Sequence, residues 1–285
     1  MTLRVASGIV GSILMISIMF LSIIWPFSLN LAIALVSCCS VCELVILKKE
    51  PKFEILSISS VLFSICRSLL GPGTIWQMSM YLYTLVCLII AITRFIKNKK
   101  KSYGEQNSVW NVWFIFFLNI IISVSLGTII CTRNLDKNLG LFFSFISLGI
   151  AWSCDIGAYI FGKQFGKTKL CPYVSPKKTL EGAIGGIILC ITYSLIISVI
   201  CKWIFKLEIN YMVILVLSVL GAPIAILGDL CFSLIKRLLN VKDFGIIIPG
   251  HGGILDRFDS VIFVSPFILL SLKILKKLNQ TYCFF

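Results

Sequence analysis

The residues that could do chemistry sit in the second half of the chain. Asp155, Glu181, Asp229, Asp243, Asp256 and Asp259 fall there, among apolar segments. An ionisable group inside an apolar span costs a few kcal/mol, so its presence asks for a reason. Asp229, Ser233, Lys236 and Arg237 are spaced i, i+4, i+7 and i+8. On a helix that spacing sets an acid, a hydroxyl and two cations on one face. Asp256 and Asp259 are spaced i, i+3 at the start of an apolar run. They would share a face near a positive helix N-terminus, where together they can hold a divalent cation. Carboxylates converging with Lys and Arg suit metal-assisted phosphoryl or nucleotidyl transfer. The plainer reading of Asp155 and Asp229 is a structural ion pair with a neighbouring lysine.

Two polar loops flank these positions. The first contains Gly162, Lys163, Gly166, Lys167 and Thr168, then Ser175-Pro176-Lys177-Lys178-Thr179-Leu180-Glu181-Gly182. Its glycine spacing is one residue short of a Walker A loop. Glycines, lysines and hydroxyls ahead of a helix still provide what a phosphate cradle needs. Ser175-Pro176 followed by Glu181 also resembles a helix start, which would make Ser175 or Thr179 a cap. Gly182, Gly185 and Gly186 read as close helix packing. The second loop contains Lys242, Asp243, Gly245 and Pro249-Gly250-His251-Gly252-Gly253. Its glycines let backbone amides approach a ligand. His251, the chain's one histidine, can bond a phosphate or help place a metal-bound water. Arg257 can serve as counter-ion to the acids on either side of it.

The elements that must position these residues are membrane helices. The 285 residues are 58% hydrophobic and 13% charged, with a mean hydropathy of +1.00. Soluble domains are nearer half apolar and a quarter charged, so disorder, a fibrous repeat and an ordinary soluble enzyme are excluded. Spans need about 20 apolar residues. That rule predicts an all-α polytopic membrane protein of about nine transmembrane helices, near 5–25, 27–47, 55–70, 75–96, 109–131, 139–162, 183–205, 211–235 and 258–275. The expected organisation is N-terminal transmembrane helices over 1–138 and a catalytic region over 139–285. The latter would carry cytoplasmic loops at 163–182 and 236–257 and a polar cavity open to the cytoplasm. Acids of the first half, Glu43, Glu50, Glu54, Glu105 and Asp136, read as rim charges.

Lys and Arg number 26 against 12 Asp and Glu, a net charge of +14. With the N-terminus inside, most of them fall in cytoplasmic segments. Outside loops keep Arg133, Lys137, Lys202 and Lys206, with Arg67 near an outer end. This is the positive-inside pattern. The tail, with Lys273, Lys276 and Lys277, runs against it. Basic residues scattered among apolar spans argue against nucleic acid as a partner. The twelve cysteines include Cys39 and Cys42 inside a predicted span, with no histidine nearby; they read as small packing residues.

Residues 233–259 resemble the signature of the phosphatidate cytidylyltransferase family, the CDP-diacylglycerol synthases of bacterial membranes. The resemblance is carried by Ser233, Lys236, Arg237, Lys242, Asp243, Gly245, Pro249, His251, Gly252, Gly253, Asp256, Arg257 and Asp259. Asp155 to Tyr159, the Gly162/Gly166-Lys167 loop and Ser175 to Gly182 resemble the same family, with Lys177 where Asn is common. The likeness covers about residues 150–275. It implies transfer of a cytidylyl group from CTP to phosphatidate, with release of pyrophosphate, in the bacterial cytoplasmic membrane. It also implies Mg²⁺ as cofactor, with Asp229 and Asp256 foremost, then Asp259 and Asp155, as ligands. Ser175, Lys178 and Thr179 would contact nucleotide phosphates. Lys236, Arg237, Lys242 and Arg257 would hold phosphatidate and pyrophosphate, and a homodimer is compatible with it. Two rivals stand beside this reading. One is another membrane enzyme that uses CTP, such as a polyprenol kinase. The other is a transporter, which predicts polar residues spread through the membrane depth rather than gathered at cytoplasmic ends.

Overall fold

The computed structural model describes residues 2–46, 103–136, 139–248 and 252–282. Its helices are α1 (Thr2–Ile24), α2 (Phe27–Ile46), α3 (Tyr103–Arg133), α4 (Gly140–Phe165), α5 (Leu180–Phe205), α6 (Tyr211–Leu238) and α7 (Leu255–Tyr282). Among the described residues, five apolar helical runs are long enough to cross a membrane: Phe27–Leu44, Gly140–Phe165, Leu180–Phe205, Tyr211–Leu238 and Leu255–Leu278. The spans expected at 5–25 and 109–131 fall on α1 and α3, which carry shorter apolar runs, Ile13–Ile24 and Phe117–Arg133. The spans expected at 55–70 and 75–96 lie outside the described residues.

The expectation of an all-α protein needs one correction. Between α4 and α5 the chain forms an antiparallel hairpin of β1 (Lys169–Cys171) and β2 (Ser175–Thr179). Pro176 therefore lies in a strand, and the next helix begins at Leu180. Thr179, not Ser175, is the N-cap: its Oγ1 accepts from the Gly182 amide at 3.2 Å. The neighbouring caps follow the same logic of satisfying orphan amides. Asn210 Oδ1 accepts from Met212 and Val213 at the start of α6. Asp136 Oδ1 accepts from the Leu139 amide just ahead of α4, at 2.8 Å.

The chain divides into two compact units. One holds residues up to Ile130 together with Phe244–Leu255; the other holds Cys131–Asp243 and Asp256 onward. In the second unit, helices pack without a hydrophobic driving force, because lipid is as apolar as leucine; close fit and small residues do the work instead. A Cβ built on Gly157 of α4 would lie 2.8 Å from the Gly185 carbonyl and 2.9 Å from Gly186 Cα on α5. A Cβ on Gly186 would lie 2.7 Å from the Cys154 carbonyl. The two backbones are thus nearly in contact. Gly157→Val is expected to lower stability by about 1–3 kcal/mol through overpacking, read as earlier thermal unfolding in detergent. An unshifted transition would show that the helices separate at no cost.

Cysteines fill the same seams, and among the described residues they form no disulfide. Cys154 Sγ lies 3.6 Å from the Ala222 carbonyl, and Cys190 Sγ lies 3.7 Å from that of Ser218. Buried serines return their hydroxyl protons to their own helix. Ser144 donates to the Gly140 carbonyl, Ser198 to that of Ser194 and Ser218 to that of Ile214. This is how a hydroxyl is satisfied where no water reaches.

One acid of the first unit departs from expectation. Glu43, read above as a rim charge, is 3% exposed in the last turn of α2.

Candidate functional site

Three helices and the hairpin bring charged side chains together in the second unit. Aromatic and polar contacts fix the helices around them. Phe232 of α6 meets Phe263 of α7 edge-on, ring centres 6.3 Å apart. Trp152 of α4 meets Phe258 of α7 at 6.0 Å, and its indole N–H donates to the Arg257 carbonyl at 3.1 Å. Arg257 is exposed, and the cation between the two acids of α7 is Lys236.

Lys236 Nζ lies 3.0 Å from Asp256 Oδ1 and 3.9 Å from Asp259 Oδ2. Both acids are nearly covered, with side chains 2% and 7% exposed. Taking such charges out of water is costly unless a partner meets them. Lys236 is that partner, reaching from α6 to α7. About two helical turns nearer the N-terminus of α6, Asp229 pairs with Lys178 of β2. Ser233 Oγ donates to Asp229 Oδ1 at 3.3 Å. The hairpin thus delivers its lysine to the α6 acid, and the expected face of Asp229, Ser233 and Lys236 is present. Arg237 departs from it. Its Nε donates to the Val174 carbonyl in the hairpin turn and its Nη1 to the Val241 carbonyl. It ties the hairpin to the end of α6.

Asp155 of α4 joins the group through Ser260, a residue absent from the sequence-based candidates. Ser260 Oγ lies 3.2 Å from Asp155 Oδ2 and 3.5 Å from Asp259 Oδ1, so one proton is shared between two acids. The Ser260 amide donates to Asp259 Oδ1 at 2.8 Å. Asp155 also lies within electrostatic reach of Asp229 and Lys178. A hydroxyl directly after an acid in the first turns of α7 was the available signal for Ser260.

The first loop divides between structural and accessible residues. Glu181 accepts from the Lys167 amide at 3.0 Å and the Thr168 amide at 3.1 Å. Those amides are therefore spoken for, and a backbone cradle at that point is corrected to an internal brace. The Lys167 side chain is exposed. The Thr179 hydroxyl caps α5 and is buried, so its oxygen is committed to the helix start. Ser175 is half-buried in β2, beside the turn. Lys242 and Asp243 are exposed just past α6. His251 lies outside the described residues.

Among the described residues, no three His, Cys, Asp or Glu side chains stand close enough to hold a metal by themselves. The acids expected as one ligand set are instead interleaved with ammonium groups, Lys178 on Asp229 and Lys236 between Asp256 and Asp259. Asp256 and Asp259 remain a pair of hard oxygen donors on successive turns of one helix. Mg²⁺ is commonly bound by one or two carboxylates while phosphate oxygens and waters complete its shell. The donor set fits that use.

Known proteins match this chain over the same ground. The model of the cytidylyltransferase family matches residues 3–275. The phosphatidate cytidylyltransferase of Bacillus subtilis (strain 168) is 41% identical over 183 residues, covering 64% of this chain and 64% of that protein. The phosphatidate cytidylyltransferase of Staphylococcus haemolyticus is 33% identical over 193 residues, 68% of this chain and 70% of that protein. That of Staphylococcus saprophyticus is 34% identical over the same length. With a family match that spans nearly the whole chain, and with its acids and lysines gathered on α4, β2, α6 and α7, the chain belongs to the cytidylyltransferase family of enzymes.

Proposed function

We propose that this protein transfers the cytidylyl group of CTP to phosphatidate, forming CDP-diacylglycerol and pyrophosphate for phospholipid synthesis. The observation that carries this reading is Lys236 set between Asp256 and Asp259, beside the Lys178–Asp229 pair. A phosphate oxygen of phosphatidate attacks the α-phosphorus of CTP. The new P–O bond forms as the bond from the α-phosphorus to the bridging oxygen breaks, and pyrophosphate leaves with that electron pair. A phosphate monoester is already a nucleophile at neutral pH, so no strong general base is needed. The barrier is repulsion between two polyanions, and fixed cations lower it in a site of reduced dielectric.

Each lysine ammonium has three donors. Lys236 can thus keep a carboxylate while donating to a phosphate oxygen, and Lys178 can do the same from the hairpin. Asp256 and Asp259, with Asp229 and Asp155 behind them, are the residues that would hold Mg²⁺. When bound, that ion supplies charge neutralisation at the phosphate oxygens. Lys167, Lys242, Arg257 and Ser175 stand at exposed or half-exposed positions suited to incoming phosphates. The positive-inside pattern supports a bacterial cytoplasmic membrane protein with a polar pocket open to the cytoplasm. CTP would arrive from that side while the acyl chains stay in the bilayer.

The test is purified protein in detergent with phosphatidate, Mg²⁺ and CTP labelled in its cytidine. Label is expected in a lipid product, with pyrophosphate released one for one. A folded preparation that leaves phosphatidate unlabelled, or that converts CTP to CDP only when a polyprenol acceptor is supplied, would overturn the substrate assignment.

A further inference from the structure

Glu43 stands more than 100 positions in sequence from the acids and lysines of the candidate site, yet its carboxylate is bound to the backbone just ahead of Asp256. Glu43 Oε1 accepts from the Ile254 amide at 2.8 Å, and Oε2 accepts from the Leu255 amide at 2.9 Å. Leu255 opens α7, so the two oxygens satisfy amides that a helix start leaves without intrahelical partners. A negative group there also suits the helix dipole. No residue just ahead of α7 is needed as a cap, because a different helix supplies one.

The glycines around this carboxylate have a matching explanation. A Cβ added at Gly245 would strike Glu43 Oε1, and one added at Gly253 would strike Oε2. Gly253 is not among the residues of positive φ, so its backbone does not demand glycine. The carboxylate does. Nearby, the Ile248 amide donates to the Gly252 carbonyl at 2.9 Å, and Phe244 is buried, so both arms of the segment are held.

We infer that Glu43 is a positioning residue for the reaction: it clamps the glycine segment and the first turn of α7, and so fixes the backbone from which Asp256 projects. A residue of this kind acts through another, as outer-shell partners of metal ligands do, and its loss costs about 10–100-fold in activity. The activity arm of this inference rests on the reading proposed above; the structural arm does not.

The test compares wild type and Glu43→Gln by amide hydrogen exchange and by CTP turnover. Faster exchange at Ile254 and Leu255, by about tenfold or more, is expected with exchange in α4 and α5 unchanged. kcat is expected to fall about 10–100-fold with KM for CTP held. Unchanged exchange at those two amides overturns the clamp. Unchanged kcat with faster exchange overturns the positioning role. If wild type turns over no CTP, the substrate assignment fails while the exchange measurement still decides the clamp. Should Glu43→Gln not fold, Gly253→Ala approaches the contact from the other side. It is expected to slow turnover alone, and to add nothing further when combined with Glu43→Ala, which vacates the space its Cβ needs. Additive losses in that pair overturn the contact.

Discussion

Asp256→Asn is expected to lower turnover about 10²–10³-fold while the protein still inserts and folds. The substitution keeps side-chain volume and one oxygen, so Lys236 retains a neutral acceptor where it now has an anion at 3.0 Å. The fold should therefore lose only about 1 kcal/mol. What disappears is one negative charge of the Asp256/Asp259 pair on the first turns of α7. In a nearly covered site, that charge is worth several kcal/mol to a bound cation and to the phosphates it neutralises. The measurement is labelled-CTP incorporation across a Mg²⁺ titration, beside a thermal unfolding curve. Near-normal turnover by a well-folded variant would remove Asp256 from the chemistry.

Lys236→Met is expected to fail differently, losing both activity and stability. Its side chain is 11% exposed and its ammonium reaches two acids, whose side chains are 2% and 7% exposed. Removing one partner of a buried pair leaves an uncompensated charge and costs about 3–5 kcal/mol. Here it also leaves Asp256 and Asp259 repelling each other one turn apart. Adding Asp256→Asn to Lys236→Met should recover much of that stability, because one of the two carboxylates is then neutral. It should recover no activity. Such non-additivity is the mark of residues that share a contact. If the double variant is as unstable as the sum of the two singles, the acids and the lysine do not form the unit seen here.

These two results would separate positions that look alike on paper. Lys236 and Arg237 are adjacent cations in one signature. Lys236 reaches the acids of α7, whereas Arg237 turns to the hairpin carbonyl of Val174. One residue along a helix rotates the side chain by about 100°, and that rotation divides a site role from a bracing role. Arg257 shows the same point. It lies between Asp256 and Asp259 in sequence, but the cation between them in space comes from α6.

Much of this protein is legible in the order of its residues. Membrane helices follow from composition, because a run of about 20 apolar residues has one comfortable environment. The grouping of Asp229, Ser233 and Lys236 on one face follows from helical period alone, as does that of Asp256 and Asp259. The family is suggested by the resemblance of residues 233–259 to its signature, and the match over residues 3–275 agrees with it.

Tertiary structure decided the rest, because those facts depend on which elements meet. The hairpin at 169–179 was hidden by Ser-Pro, which serves a strand as well as a helix start. Its formation sends Lys178 to Asp229 and turns Glu181 into a brace for Lys167 and Thr168. Ser260 gained a role only when α4 brought Asp155 to it. Glu43 is the clearest case. A period along one helix says which residues share a face, but not that a carboxylate will meet two amides 211 and 212 positions away. Local pattern sets what a residue can offer, and packing alone sets what it is offered to.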